Sequence, residues 1–292
     1  MVPDWNTNTV LISDMLSSRH PKIVRQLESI LSEQGVALVI VPGTADIWIR
    51  DAAPVQIGDG EFVQFIYKPD YLRVGYEHLI TGPEAFRDLP FINGLEKSEL
   101  VIDGGNVVGV SGTAILTDKV FRENPKRSRS VIRDAIRRLL RVERLIIIPK
   151  EPGDSIGHVD GMVRFINETT VVVNDYSTVD PKFENRLRSS LEPHGLEIEL
   201  LPYRPEWKQF DGIESAAGNY VNFLRVGSLI IVPSYGMPED IDAVQKLRQL
   251  CPQATVIPVP CLNLAREGGV LQCVSWTVQV GERKDESPSQ TG

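Results

Sequence analysis

Gly157-His158-Val159-Asp160 stands at the mouth of an apolar run, Gly161-Met162-Val163-Arg164-Phe165-Ile166. The run reads as a strand, and positions i and i+2 of an extended chain point to one side. His158, one of four histidines, would then share a pocket with the Asp160 carboxylate. Far downstream, Gly268-Gly269-Val270-Leu271-Gln272-Cys273 predicts a second strand of this kind, ending on a cysteine. Similar small-residue openings fall at Asp51, Gly105 and Gly218.

The elements after each opening repeat as well. Val55 to Ile57, the turn Gly58-Asp59-Gly60 and Phe62 to Tyr67 read as a hairpin. Thr113–Thr117, Thr169–Asn174 and Leu229–Pro233 read as the second strands of later hairpins. Helical periodicity comes next over Arg127–Arg141, Pro181–Leu191 and Pro238–Leu250, and then strands at Leu145–Ile148, Leu196–Leu201 and Thr255–Val259. Openings separated by roughly 50 to 60 residues mark an array or closed ring of supersecondary units. The last unit lacks its own helix and closing strand, which Thr9–Ser13, the helix after His20-Pro21 and Val36–Val41 can supply. The expectation is an α/β fold of five ββαβ units around a pseudo-fivefold axis, a five-bladed α/β propeller. Residues 1–281 would form one domain, followed by a disordered polar tail, 282–292. The strand mouths would converge on the axis, bringing Asp51, His158, Asp160, Asn219 and Cys273 into one cavity.

Between Lys68 and Leu100 the periodicity fails, with Pro69, Gly75, Gly82, Pro83, Pro90 and Gly94. That stretch reads as a long loop available to cover a pocket, and His78 within it as an ordinary loop histidine. The Arg129, Arg133, Arg137 and Arg138 side of the Arg127–Arg141 helical segment reads as a solvated charged face.

Composition narrows the function. A net charge of −8 argues against nucleic-acid binding and suits a cationic substrate. No run of about 18 apolar residues predicts a membrane span. The opening Met1-Val2-Pro3-Asp4-Trp5-Asn6 lacks the features of a secretory signal. Three cysteines, Cys251, Cys261 and Cys273, have no metal-like spacing and suit a reducing cytoplasm. Neither a metal nor an organic cofactor is expected. The oligomeric state is open, a homodimer among the options.

Taken together, Trp48-Ile49-Arg50-Asp51-Ala52-Ala53-Pro54, Asp103-Gly104-Gly105-Asn106, Gly157-His158-Val159-Asp160, Asn219-Tyr220-Val221-Asn222-Phe223 and Gly268-Gly269 with Cys273 span most of the chain. Their order resembles the pentein superfamily of guanidine-modifying enzymes, in its branch of agmatine deiminases and bacterial peptidylarginine deiminases. The resemblance implies Cys273 as nucleophile, His158 as general acid/base, and Asp51 and Asp160 as the carboxylates that hold a guanidinium. The residue types suit that role, because a guanidinium presents forked N–H donors that match carboxylates. It further implies that Trp48 flanks the substrate stem or packs in the core. Asn219 contacts substrate or shapes its turn, and Asp103 contacts substrate or anchors the Gly-Gly turn. Gln272 stands where that branch usually has histidine, and Ala52-Ala53 follow Arg50-Asp51 in place of Thr/Tyr-Gly. These departures bear on the substrate stem rather than on guanidine chemistry. The implied activity is hydrolysis of agmatine, a related alkylguanidine or an arginine derivative to a ureido product and ammonia. The alternatives are amidino transfer to an amine, and a non-catalytic binding protein of the same fold.

Overall fold

The computed structural model describes residues 1–72, 75–206, 208–210 and 212–281; the expected disordered tail, 282–292, lies outside them. Strands are numbered along the chain. β1 (Thr9–Ser13) lies parallel to β2 (Ala37–Val41). β3 (Val55–Gly58) pairs antiparallel with β4 (Glu61–Ile66), which pairs parallel with β5 (Gly94–Val101). The same order recurs in β6 (Val108–Val110), β7 (Thr113–Thr117) and β8 (Arg144–Ile148). It returns in β9 (Val163–Phe165), β10 (Thr170–Asn174) and β11 (Glu197–Leu201). A small hairpin, β12 (Gln209–Phe210) and β13 (Ile213–Glu214), precedes a further set: β14 (Leu224–Val226), β15 (Leu229–Ser234) and β16 (Thr255–Pro260). Finally β17 (Trp276–Val278) pairs antiparallel with β1, so the two ends of the chain complete one sheet. The described residues thus form a mixed α/β fold with five three-stranded sheets of one topology.

Sequence explains the repeated sheet. β1, β7 and β10, each the middle strand of its sheet, are buried at every position. Strands covered on both faces read as continuous apolar runs, as Val171-Val172-Val173 does. Crossover helices return the chain from middle to third strand. Pro21–Glu33 begins with proline at its first helical turn and buries Ile23, Val24, Leu27 and Leu31. In Arg129–Leu140 the Ser128 hydroxyl caps the Val131 N–H, and Ile132, Ile136, Leu139 and Leu140 are buried. Pro181–Leu191 is capped by Asp180 and buries Phe183, Leu187 and Leu191. Glu239–Leu250 completes the set, burying Ala243, Val244 and Leu247.

Where the chain departs from expectation, the openings themselves are concerned. Residues 46–54 are not extended throughout: Ile49–Ala52 makes one helical turn. After His158, Val159–Gly161 is a 3-10 turn, and the strand is confined to Val163–Phe165. Residues 271–274 are also a turn, so Cys273 precedes its strand, β17, instead of ending one. Packing gives the reason. A Cβ on Gly104 would stand 2.1 Å from the Arg50 carbonyl oxygen, so neighbouring openings meet backbone to backbone. Curled turns allow that approach where extended chain with side chains would not. The segment 68–100 also differs: Gly94–Val101 is the third strand of its sheet, reached through short turns at Glu77–Leu79 and Glu84–Arg87 where other units have a long helix.

Candidate active site

Gly105 marks the centre of the site. A Cβ there would lie 2.5 Å from Asp51 Oδ1, 2.7 Å from His158 Nδ1 and 3.2 Å from Asp160 Oδ2. Three openings, around residues 51, 105 and 158, therefore deliver these polar atoms around one point. The Gly105 N–H donates to Asp51 Oδ1 at 3.2 Å. His158 and Asp160 do share one side, by way of a 3-10 turn rather than strand alternation.

Cys273 belongs to the same constellation. Its Sγ lies 3.4 Å from Asn222 Oδ1, and Asn222 Nδ2 donates to the Asp160 carbonyl at 3.4 Å. The Arg50 N–H donates to the Cys273 carbonyl at 3.2 Å, fastening the cysteine turn to the helical turn that carries Asp51. Trp48 packs alongside: a Cβ on Gly269 would meet Trp48 Cζ3 at 2.7 Å and Cys273 Sγ at 3.1 Å.

Two predicted contact residues sit behind this front. Asp103 Oδ2 accepts from His158 Nε2 at 2.8 Å and from Lys119 Nζ at 2.6 Å. Asn219 Nδ2 donates to the Gly161 carbonyl at 2.8 Å, as does Asn174 Nδ2, so both hold the turn that presents Asp160. Three neighbours have no counterpart in the sequence reading. Tyr71, from the 68–93 segment, places its hydroxyl 3.4 Å from Asp51 Oδ2 and its ring edge-on to His158 at 5.9 Å. Asn222 lies within a recognised motif, but nothing local links it to a cysteine 51 residues away. Lys119 forms its bond to Asp103 from within a mixed, largely charged stretch, Asp118-Lys119-Val120-Phe121-Arg122-Glu123, with no spacing to single it out.

The electrostatics of the site are unusual. Asp160 is 1% exposed and neither carboxylate oxygen has a hydrogen-bond partner. Burial pushes its pKa up against the pull of His158, Arg164 and Arg50. Asp51 is raised to about 7, by burial first and then by Asp103 and Asp160, with His158 opposing. Burial alone would make the His158 imidazole less basic. Asp51 and the Asp103 hydrogen bond outweigh it and hold the pKa at about 9. Cys273 is pushed well above the usual thiol range by burial and by the adjacent Asp160 and Asp51 carboxylates. At neutral pH the site therefore holds an imidazolium and a neutral thiol beside two carboxyl groups whose ionised form burial disfavours. Among the described residues no group of three His, Cys, Asp or Glu side chains is arranged to hold a metal ion.

The chain is similar to known proteins over most of its length. The family model of the Porphyromonas-type peptidyl-arginine deiminases matches residues 7–278. The agmatine deiminase of Pseudomonas fluorescens is 29% identical over 280 residues, covering 81% of this chain and 75% of that protein. The agmatine deiminase of Ectopseudomonas mendocina is 25% identical over 288 residues, covering 84% and 77%. Among solved structures, a Cys-to-Ser variant of the C. jejuni agmatine deiminase with substrate bound superposes with a TM-score of 0.76 at 16% identity, covering 96% of each chain. An amidinotransferase from Microseira wollei superposes with a TM-score of 0.68 at 13% identity, covering 97% of each. At that identity the two structures speak to the fold, whereas the family match runs through all five openings: this chain is a member of the Porphyromonas-type peptidyl-arginine deiminase family.

Proposed function

We propose that the protein hydrolyses the guanidine group of agmatine, a related alkylguanidine or an arginine derivative to a ureido product and ammonia, with Cys273 as nucleophile. One observation carries the reading: Asp160 is buried, unpartnered at both oxygens and adjacent to a cysteine. An uncompensated buried carboxylate costs several kcal/mol. A guanidinium offers the counter-charge and the forked N–H donors that would offset that cost.

The reaction is built from the groups present. A guanidinium bound by Asp160 and Asp51 replaces a local excess of negative charge with a cation. The same change lowers the Cys273 pKa, and the thiol proton passes to solvent. The thiolate then attacks the central carbon. His158, already an imidazolium, donates its proton to the departing nitrogen, and loss of ammonia leaves a thiouronium on Cys273. Neutral His158 next takes a proton from water, which attacks the same carbon. The C–S bond breaks, Cys273 leaves as thiolate and the ureido product forms. The remaining proton goes to ammonia, so guanidinium plus water yields ureido compound plus ammonium. Nε2 of His158 is engaged by Asp103, so Nδ1, 3.4 Å from Asp51, is the nitrogen that serves the reacting atoms. Trp48 would flank the substrate stem beside Cys273. Asp103 and Asn219 act by holding His158 and the Asp160 turn.

The five similar sheets, with β17 completing the sheet of β1 and β2, support reading the fold as a five-bladed propeller around one pseudo-fivefold axis. Residues 1–281 would then act as one catalytic domain. Three cysteines without a disulfide, and no described helix able to cross a membrane, support a cytoplasmic location.

The test is an ammonia-release screen over agmatine, arginine, methylated arginines, guanidinobutyrate and arginine-containing peptides. At least one should be turned over to its ureido product, and Cys273→Ser should abolish turnover with unfolding unchanged. Full activity of Cys273→Ser would rule out the covalent route. A guanidinylated amine formed when acceptor amines are added would instead indicate amidino transfer.

A further inference from the structure

Lys119 is the one lysine fully enclosed among the described residues, at 1% exposure. It opens the short helix Lys119–Glu123, and its ammonium meets Asp103 Oδ2 at 2.6 Å, Glu123 Oε1, and Asp70 Oδ1 at 3.5 Å. Asp70 is held from its other oxygen by Arg122 at 2.8 Å. The Asp103 oxygen that takes Lys119 is the one that takes His158 Nε2. Lys119 Nζ also lies 5.2 Å from the centre of the Tyr71 ring, whose hydroxyl reaches Asp51 and whose edge meets His158. A buried ion pair is a poor source of stability, because desolvation offsets most of the attraction. The line Lys119–Asp103–His158 gives this lysine a different purpose.

We propose that Lys119 is a positioning residue for the deimination: it pins Asp103 Oδ2 where that atom can accept from His158 Nε2, and so turns His158 Nδ1 toward Asp51 and the reacting atoms. The proposal rests on His158 being the acid/base of the reaction. Asp51, Asp103, Asp160, Lys119 and Tyr71 face His158, whereas Asp103, Glu123, Asp70 and the Tyr71 ring face Lys119. Among these neighbours Lys119 is the cation, and its charge lowers the basicity of His158 while Asp51 and Asp103 raise it. Without Lys119, the Asp103 and Asp51 carboxylates would act on His158 unopposed, and the imidazolium would hold its proton more tightly at the moment it must pass it to ammonia.

The test uses the full chain with Lys119→Met and Lys119→Arg. Four histidines, His20, His78, His158 and His194, are few enough to follow by imidazole NMR, with His158→Gln assigning the signal. Lys119→Met should raise the His158 titration midpoint and move the alkaline limb of the kcat profile upward. It should lower kcat roughly 10- to 100-fold with KM little changed, the scale of losing an outer partner of an active-site group. Lys119→Arg should restore most of both. A folded Lys119→Met protein with an unmoved midpoint and alkaline limb overturns the proposal and makes Lys119 purely structural. If Lys119→Met does not fold, Glu123→Gln is measured instead. It leaves the ammonium to Asp103, so the midpoint should fall, and an unmoved midpoint again overturns the proposal. Because the NMR midpoint is independent of turnover, failure of the deiminase reading, seen as no ammonia from any guanidine, is separable from failure of this one.

Discussion

At the scale of single residues, protonation decides the chemistry. Cys273 is surrounded by negative charge and burial, so the free protein should carry it as a thiol. We therefore expect iodoacetamide to label Cys273 slowly at pH 7. Asp160→Asn, which removes an adjacent charge, should accelerate labelling several-fold; equal rates would show that Asp160 does not control the thiol. His158 makes a separate prediction about stability. Its pKa rises from 6.5 in the unfolded chain to about 9 in the fold. The folded state binds the proton more tightly, so this stabilisation is complete below pH 6.5 and is lost as pH rises through about 9. Over that window it amounts to at most about 3 kcal/mol. Urea unfolding of wild type and His158→Gln should therefore converge as pH rises from 6.5 to 9, and a constant difference would remove the imidazolium from the stability of the site. Much of this grouping was legible in advance: the spacing set His158 beside the Asp160 carboxylate, and the resemblance implied acid/base and nucleophilic roles for His158 and Cys273. Asp103 was not legible as the partner of His158, because the two are joined across 55 residues.

At the scale of elements, the turns at the openings matter more than the strands they introduce. Gly105 is the clearest case: the space of its missing side chain is bounded by Asp51, His158 and Asp160. Gly105→Ala should fold, since its φ lies outside the left-handed region, yet lose on the order of 100-fold or more in kcat/KM, as misplacement by about 1 Å does. Near-normal kcat/KM would mean that the carboxylates and imidazole tolerate being forced apart. Asn219 makes a milder prediction. Asn219→Ala removes one of two donors to the Gly161 carbonyl and should destabilise by about 1 kcal/mol. Its effect on kcat/KM should be similar for every guanidine tested. A loss confined to one substrate would assign Asn219 a direct contact instead. Alternation in the sequence could not reveal these turns, because their curling is imposed by contact with the next unit.

Across the whole molecule, the N-terminal segment is tied to the middle of the chain. Arg164, 1% exposed on β9, donates to the Phe223 carbonyl at 2.8 Å and to the Asp4 carboxylate. Removing the acid leaves a buried guanidinium without its counter-ion, a loss worth about 3 kcal/mol for a fully enclosed pair. Asp4 is 26% exposed, so solvent will compensate in part. Asp4→Asn should therefore cost about 2 kcal/mol in chemical denaturation, and a change within about 0.5 kcal/mol would show that the pair is screened.

What the sequence determined by itself was the recurring unit, the middle strands, the crossover helices and the placement of Cys273, His158, Asp160 and Asp51 at or beside the openings. Periodicity and glycine placement are local properties, and the five openings repeat them at similar intervals. Only the tertiary structure decided which groups complete the site: Asp103 and Lys119 behind the imidazole, Tyr71 beside it and Asn222 against the thiol. The contacts of Asp103 and Tyr71 with His158, and of Asn222 with Cys273, join different units. A hydrophobic pattern specifies which face of a strand or helix is buried, but the partner met across that face is set by how the units pack together.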